Sequence, residues 1–264
     1  MPRPTLYCTP LVAAAAAALT LCASAQAQQV MVTATITNLA PANSIGFAPL
    51  HVGFHNGSFD AFNLGGVAAA GIVSVAEGGA GGQWQADFAA ADPTATRGTI
   101  GGLRLPGTSA SMSFMVDAGL NPFFTFAAMA VPSNDFFIGN DDAREYRLLG
   151  ASGQLLIGSI TVRANEIWDA GSEVFDPAAA AFVGTNSLRA PQHSVVAFNF
   201  GEFAGYNGLT TGAGYVFNSQ LSAASEVYRI DFAVASVPEP GTYGLLSAGL
   251  LAVAWVARRR RRAD

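Results

Sequence analysis

The sequence predicts an all-β domain, an antiparallel β-sandwich, between a signal peptide and a membrane-sorting tail. Short segments of alternating apolar residues recur along the chain, glycine-rich turns separate them, and helical periodicity is weak. We divide the 264 residues into a signal peptide at 1–27, one domain at 28–236 and a sorting tail at 237–264.

The first residues have the three regions of a signal peptide. Arg3 supplies the charge, an apolar run follows, and Ala25 and Ala27 supply the small side chains that a signal peptidase accepts. We therefore expect cleavage after Ala27 or Ala25. Lipidation of Cys22 is the disfavoured alternative, because the bulky Leu21 precedes it.

Six segments have the composition of strands. In the clearest one, Tyr228, Ile230 and Phe232 alternate with charged residues, as in a strand with one buried face. The six predicted strands are 30–36, 111–116, 123–129, 155–162, 194–200 and 227–234. Residues 60–77 predict a short helix or a loop packed on the sandwich, and the glycines of 78–82 predict a flexible connection.

The composition excludes some partners. Residues 28–237 carry seven arginines, no lysine and sixteen carboxylates, a net charge of −9. Phosphate binding requires a basic surface, so we expect no nucleic-acid partner. Because Cys8 and Cys22 both lie in the signal peptide, the mature chain has no disulfide and depends on packing or on a bound ion.

Residues suited to catalysis are scarce. The chain has three histidines, His51, His55 and His193. The first two have the spacing of a helical zinc pair, but Pro49 and Gly53 argue against a helix there. Polar positions in a strand or turn are therefore favoured over zinc ligands. Without a nucleophile elbow or a phosphate loop, we expect no enzymatic activity.

Loop carboxylates form a more specific pattern. Asp135 follows Asn134 after a predicted strand, and Asp169 begins an Asp-Ala-Gly-Ser-Glu segment that ends at Glu173. Ca²⁺ binds about six to eight oxygen ligands on adaptable loops. From the spacing alone, solvated caps or turn residues are the favoured interpretation.

The C-terminal residues combine a short motif, an apolar stretch and a basic block. Residues 241–257 are uncharged and only just long enough to span a bilayer, and the arginines after them should stay cytoplasmic. The proposed sorting residues are Pro238, Glu239, Pro240, Arg258, Arg259 and Arg260. A plain tail anchor is the alternative interpretation.

Residues 237–262 closely resemble the PEP-CTERM sorting signal. The resemblance implies recognition by an exosortase and removal of the tail. It also implies release or attachment at the outer surface of a Gram-negative envelope.

Four blocks of the mature chain resemble a spondin N-terminal domain. The blocks are 35–39, 49–60, 131–139 and 168–173. The most specific are Pro-Ser-Asn-Asp-Phe-Phe-Ile-Gly from Pro132 and Trp-Asp-Ala-Gly from Trp168. The resemblance implies a C2-like β-sandwich without enzymatic activity that acts in extracellular-matrix adhesion and carries Ca²⁺ at one end.

Carried over by position, the resemblance assigns Ca²⁺ ligation to Asp135 and Asp169, with Asp117 as a third acidic ligand. Glu173 would support these ligands without binding the ion itself, and Asn134 would either add an amide oxygen or shape the turn. The cysteines and thrombospondin-type repeats of animal spondins are missing, so their receptors do not transfer.

These observations predict a non-catalytic adhesion or structural protein of the cell surface or matrix, processed by signal peptidase and exosortase. The C-terminal helix would hold it in the membrane before processing. The alternative is a carbohydrate- or lipid-binding, or carbohydrate-active, envelope protein on the same scaffold. Its sugar-stacking side chains would be Trp84, Trp168, Tyr206 and Tyr215.

Overall fold

The computed structural model describes residues 29–184 and 188–237, and six tail positions, 247, 249–251, 254 and 258. The signal peptide, with Ala25 and Ala27, lies outside the described residues. So do Pro238, Glu239, Pro240, Arg259 and Arg260. The described part of the chain is mostly β, in antiparallel sheets, with few helices.

The strands and helices follow one another along the chain. The strands are β1 (Gln29–Asn38), β2 (Gly46–Phe47), β3 (Leu50–His55), β4 (Thr96–Ile100), β5 (Ser109–Asp117), β6 (Phe123–Val131), β7 (Phe136–Gly139), β8 (Tyr146–Arg147), β9 (Ser159–Arg163), β10 (Trp168–Asp169), β11 (Ala197–Phe198) and β12 (Glu226–Ser236). The α-helices are α1 (Ala70–Gly78) and α2 (Gly82–Ala91), and 3-10 turns cover Ala164–Glu166 and Phe200–Tyr206.

The smaller sheet has the strand order β5-β1-β12-β9. Strand β1 alternates strictly: Val32, Ala34 and Ile36 are fully buried, and the threonines between them point outward. Those threonines bond to serines of β5, as in the pair Thr33 and Ser113, whose hydroxyl oxygens are 2.8 Å apart. The alternation fixes the register, because a one-residue shift would expose the apolar face.

The larger sheet has the order β11-β10-β7-β6-β3-β4, and β2 and β8 also pair with β6. Strand β6 is buried on both faces from Phe124 to Val131. Its inner face contributes Phe124 and Phe126 to a core shared with the smaller sheet. Its outer face, at Ala127, lies beneath the two α-helices.

The helices cover the outer face through aromatic side chains. On α2, Trp84 and Phe88 lie one turn apart and contact each other and Phe59. Phe88 stacks on Phe59 with ring centroids 4.0 Å apart. This second apolar cluster also includes Phe137 and Trp168 of the larger sheet.

Some predicted elements differ from the observed ones. The predicted strand 155–162 is reduced to β9, and 194–200 to the two residues of β11. Residues 60–77 divide into a loop and most of α1, and the glycines of 78–82 link α1 to a second helix that the sequence did not predict. Gly82 begins α2, and a glycine at that position weakens any helix signal.

Within the described residues, no helix is long and apolar enough to cross a bilayer. The predicted spanning segment 241–257 lies largely outside those residues.

Gly53 of β3 allows the closest contact between α2 and the larger sheet. A Cβ atom at this position would overlap the ring of Phe88. We expect Gly53→Ala to lower the free energy of unfolding by about 1–3 kcal/mol, because the ring and its helix must move away. Gly101→Ala is the control, since its Cβ meets nothing within 4 Å. Equal urea midpoints for the two variants would contradict the described packing.

Candidate functional site

Asp135 and Asp169 lie on neighbouring segments at one end of the larger sheet. Asp135 immediately precedes β7, and Asp169 pairs with Phe136 across the β7–β10 ladder. The backbone N–H of Ala170 donates to the carbonyl oxygen of Asp135 at 3.1 Å. The structure therefore brings together the two carboxylates that the sequence resemblance selected.

The carboxylate of Asp135 is held inside the loop that follows β10. Its Oδ2 accepts hydrogen bonds from the backbone N–H of Ser172 at 2.7 Å and of Glu173 at 2.9 Å, and from the Ser172 hydroxyl at 3.2 Å. Asp135 is 2 % exposed. Burial, and next the charge of Asp169, raise its pKa to about 6, against the effect of these donors. Its Oδ1 accepts no hydrogen bond from the described residues.

Asp169 shapes the turn after it. Its Oδ1 accepts from the backbone N–H of Gly171 at 2.7 Å. Gly171 has φ +65°, and a Cβ there would meet the backbone of Ser194 and Val195, so the turn requires glycine. Asp169 Oδ2 accepts from the Asn199 amide at 3.2 Å.

A third carboxylate, Glu202, was missed by the sequence reasoning. It lies on the 3-10 turn Phe200–Tyr206, and Asn199 donates to it as well as to Asp169. Burial, followed by the charges of Asp169 and Asp135, raises the pKa of Glu202 to about 7. The only sequence signal was an isolated acid in a glycine-rich segment.

Glu173 is next to this group and has its own partner. It is 5 % exposed, and its Oε1 lies 3.2 Å from Nε of Arg189 in an ion pair without hydrogen-bond geometry. Its Oε2 is buried without a hydrogen-bond partner among the described residues. Burial raises the pKa of Glu173 to about 7, Arg189 opposes the shift, and Glu77 and Asp135 add to it.

Asn134 shapes the turn through both ends of its amide. Its Oδ1 accepts from the backbone N–H of Asp176 at 3.1 Å and from the Tyr206 hydroxyl at 3.0 Å. Its Nδ2 donates to the Asp176 carbonyl at 3.3 Å. With two donors already on the amide oxygen, the turn-shaping role fits better than ligation.

Asp117 is not part of this group. Strand β6 begins soon after Asp117 and ends shortly before Asp135, so its nine residues separate the two aspartates. At about 3.3 Å per residue, the two lie at opposite ends of the domain. The Asp117 carboxylate instead accepts from the backbone N–H groups of Gly119 and Leu120 in its own turn. The length of β6 therefore excludes Asp117 as the third Ca²⁺ ligand. The sequence could not exclude it, because the register of the loop 118–122 was ambiguous.

The two neighbouring histidines are structural. His51 bonds to the Thr99 hydroxyl and the Gly79 carbonyl, and His55 bonds to the Thr125 hydroxyl and the Gly57 backbone N–H. Burial lowers the pKa of His55 to about 4. With both nitrogens of each ring engaged, neither ring has a free nitrogen for zinc.

The aromatic residues suggested as sugar platforms are mostly interior. Trp84 and Tyr206 are fully buried, and Trp168 is 8 % exposed. The hydroxyl of Tyr215 donates to the carbonyl of Ser44 at 2.8 Å. These side chains stabilise the core and do not form a flat exposed surface for a sugar ring.

The charge distribution at Asp135, Asp169 and Glu202 fits a cation, although the side chains do not enclose one. Among the described residues, no three Asp, Glu, His or Cys side chains form a group that could hold a metal ion. Burial, and next the charges of neighbouring carboxylates, nevertheless raise the pKa values of Asp135 and Glu202, and the buried Oε2 of Glu173 accepts no hydrogen bond from the described residues. Hard oxygen donors of this kind suit Ca²⁺.

Comparison with known proteins identifies the tail. Residues 236–262 match the PEP-CTERM protein-sorting motif. The PEP-CTERM motif indicates an exported protein that an exosortase sorts to the cell envelope, which confirms the expectation from the sequence. No family match supports the resemblance to spondin N-terminal domains, and no curated protein matches the chain.

The three raised pKa values predict a pH-dependent stability when no metal is present. The folded state keeps protons on Asp135, Glu173 and Glu202 to higher pH than the unfolded chain does, so the stability that these three groups contribute falls as pH rises from about 4 to 7. His51 and His55, whose pKa values burial lowers, act in the opposite direction. We expect Asp135→Asn to remove on the order of 2 kcal/mol of this decrease, measured by urea unfolding in chelator.

Asp87→Asn on α2 is the matched control and should keep the full decrease. If Asp135→Asn had the same pH dependence of stability as the wild type, the described burial of Asp135 would be contradicted.

Proposed function

We propose that the chain is a non-catalytic, spondin-like adhesion or structural protein of the outer cell surface or extracellular matrix of a Gram-negative bacterium. The observation that carries the proposal is the acidic group formed by Asp135, Asp169 and Glu202 at one end of a two-sheet domain whose other end leads into the PEP-CTERM tail.

The position of this group supports a role at the surface. Val30 pairs with Ser236, so β1 begins and β12 ends at the same end of the smaller sheet. Asp117 pairs with Gln29 at that end, whereas Asp135 follows the far end of β6. While the tail is in the membrane, the acidic group therefore points away from it, where a partner can reach it.

Ca²⁺ at this group would act as a crosslink. Asp135 precedes β7, Asp169 belongs to β10, and Glu202 lies on a separate 3-10 turn. A divalent cation among them would oppose the burial and the repulsion by Asp169 that raise the pKa of Asp135. It would also tie three segments together in a chain whose mature part has no cysteine. Asp135 Oδ1, Asp169 and Glu202 would supply the charged oxygens after their side chains close around the ion, because as they stand they do not enclose one.

We expect Ca²⁺ to raise the stability of the purified full chain by about 2.7 kcal/mol at 100 times the dissociation constant. Asp135→Asn and Asp169→Asn should abolish the effect, because each removes a charged ligand. Glu202→Gln should weaken binding about tenfold or more. Isothermal titration and unfolding with and without chelator measure both quantities.

Asp117→Asn is the control, since it removes a carboxylate at the opposite end, and its Ca²⁺ affinity should equal that of the wild type. If the wild type binds no Ca²⁺, or if Asp117→Asn alone abolishes binding, the proposed site is wrong.

The two sorting signals predict the ends of the processed protein. Mass spectrometry of protein recovered from the native envelope and medium should find a start after Ala27 or Ala25 and no arginine block at 258–262. The variant with Pro238 and Pro240 changed to alanine should keep its tail, because the exosortase recognises the Pro-Glu-Pro motif. An intact arginine tail on the wild-type surface protein would refute processing.

A further inference from the structure

A cleft is lined by residues of both sheets. It has a volume of about 250 Å³ and is lined by residues of β9 in the smaller sheet and of β8, β10 and β11 in the larger. Thr161 and Val162 line it from the smaller sheet, and Phe126, Tyr146 and Trp168 line it from the larger. Since sites for drug-sized ligands occupy roughly 300–1,000 Å³, this cleft suits a single small group.

The cleft is distinct from the Asp135 group. Trp168 and Asp169 are adjacent on β10, so their side chains point to opposite faces of the sheet. Trp168 and Phe198 are partners across the β10–β11 ladder, and their rings stack at 4.0 Å. Phe198 is 45 % exposed, so part of an aromatic ring remains open to a ligand at the cleft.

The charged residues that line the cleft are all acidic. They are Asp141, Glu145 and Glu166. Burial raises the pKa of Glu145, the Tyr146 hydroxyl opposes the shift, and the charges of Asp141, Asp142 and Glu166 raise it further. Among the described residues, the cation that approaches this group is Arg163, whose Nη1 is 4.0 Å from Glu166 Oε1 in a half-exposed pair.

We propose that this cleft binds a guanidinium or primary ammonium group carried on a slender apolar chain. The exposed ring of Phe198 favours such a cation through cation–π attraction, and the three carboxylates favour it by charge. Trp168 is 8 % exposed, stacks on Phe198 and donates its indole N–H to the Gly139 carbonyl at 2.9 Å, so it holds the Phe198 ring in place.

A neutral sugar fits this cleft less well. A sugar needs both donors and acceptors, whereas the carboxylates only accept, and no amide or basic side chain lines the cleft in the described parts of the chain. A cation with three or five N–H donors matches a lining whose charged groups are all acceptors.

Isothermal titration of the purified full chain with N-acetylarginine amide tests the proposal. We expect weak, saturable binding that decreases as salt is raised. The matched citrulline compound, which has the same shape without the charge, should bind at least about fivefold more weakly. Glu145→Gln and Phe198→Ala should each weaken arginine binding by a similar factor, and Asp87→Asn should leave it unchanged.

Agmatine separates the two sources of the cation. Tighter binding of the blocked arginine indicates a side chain of a partner protein, and tighter binding of agmatine indicates a free organic amine. No binding of either compound, equal binding of the citrulline compound, or full affinity in Glu145→Gln would overturn the proposal. So would a neutral disaccharide that binds more tightly than arginine. Glu145→Gln should bind Ca²⁺ as tightly as the wild type does. A failed test of arginine binding therefore does not affect the proposed Ca²⁺ site at Asp135, Asp169 and Glu202.

Discussion

The pairing of β1 with β12 is the contact on which the rest of the domain depends. It joins residues about 200 positions apart in the sequence over nine register pairs, from Val30 with Ser236 to Asn38 with Tyr228. Both strands lie in the middle of the smaller sheet, so each also supports an edge strand. Their inward side chains, which include Ile36 and Ile230, belong to the core between the smaller sheet and the larger one. Because the first strand is completed by the last, the smaller sheet forms only when the whole domain has been exported.

This pairing also links the fold to sorting. The PEP-CTERM match begins at residue 236, the last residue of β12, so the sorting signal starts where the ladder ends. Strand β1 begins at the same end, beside it. Sorting through this motif therefore acts at one end of a finished sheet. The loops that carry Asp135, Asp169 and Glu202 lie at the other end, and removal of the tail need not disturb them.

The sequence predicted strands with one exposed face more readily than elements whose pattern is hidden by burial on both faces. Strands β1, β5 and β12 have one exposed face, so their alternation was visible and their prediction agrees with the structure. Strand β3 is buried on both faces, and its Leu50–His55 segment has no alternation to detect. Helix α2 begins at a glycine, and its apolar side chains are Trp84 and Phe88. The Phe88 ring can approach the larger sheet only because position 53 is a glycine, and no local pattern in the sequence predicts that contact. Likewise Asp135 and Asp169 followed from short blocks of sequence, but Glu202 reaches them through a 3-10 turn that no local pattern indicates.

The fold brings some of the chain's acidic residues together in two groups. A domain with net charge −9 could spread its carboxylates evenly to limit repulsion, yet six of them form two groups, at the β7–β10 end and in the cleft beside β9. Burial, and next the neighbouring charges, raise the pKa values of Asp135, Glu202 and Glu145 in these groups. The two groups differ in the atoms around them. Asp135 and Asp169 accept hydrogen bonds from backbone N–H groups and an amide that fix their carboxylates in place, and carboxylate oxygens are the ligands that a hard divalent ion prefers. Glu145 and Glu166 face aromatic rings, which stabilise a soft, weakly hydrated organic cation better than a strongly hydrated metal ion. At the two proposed sites the same negative charge would therefore favour different ligands, because the neighbouring uncharged atoms differ.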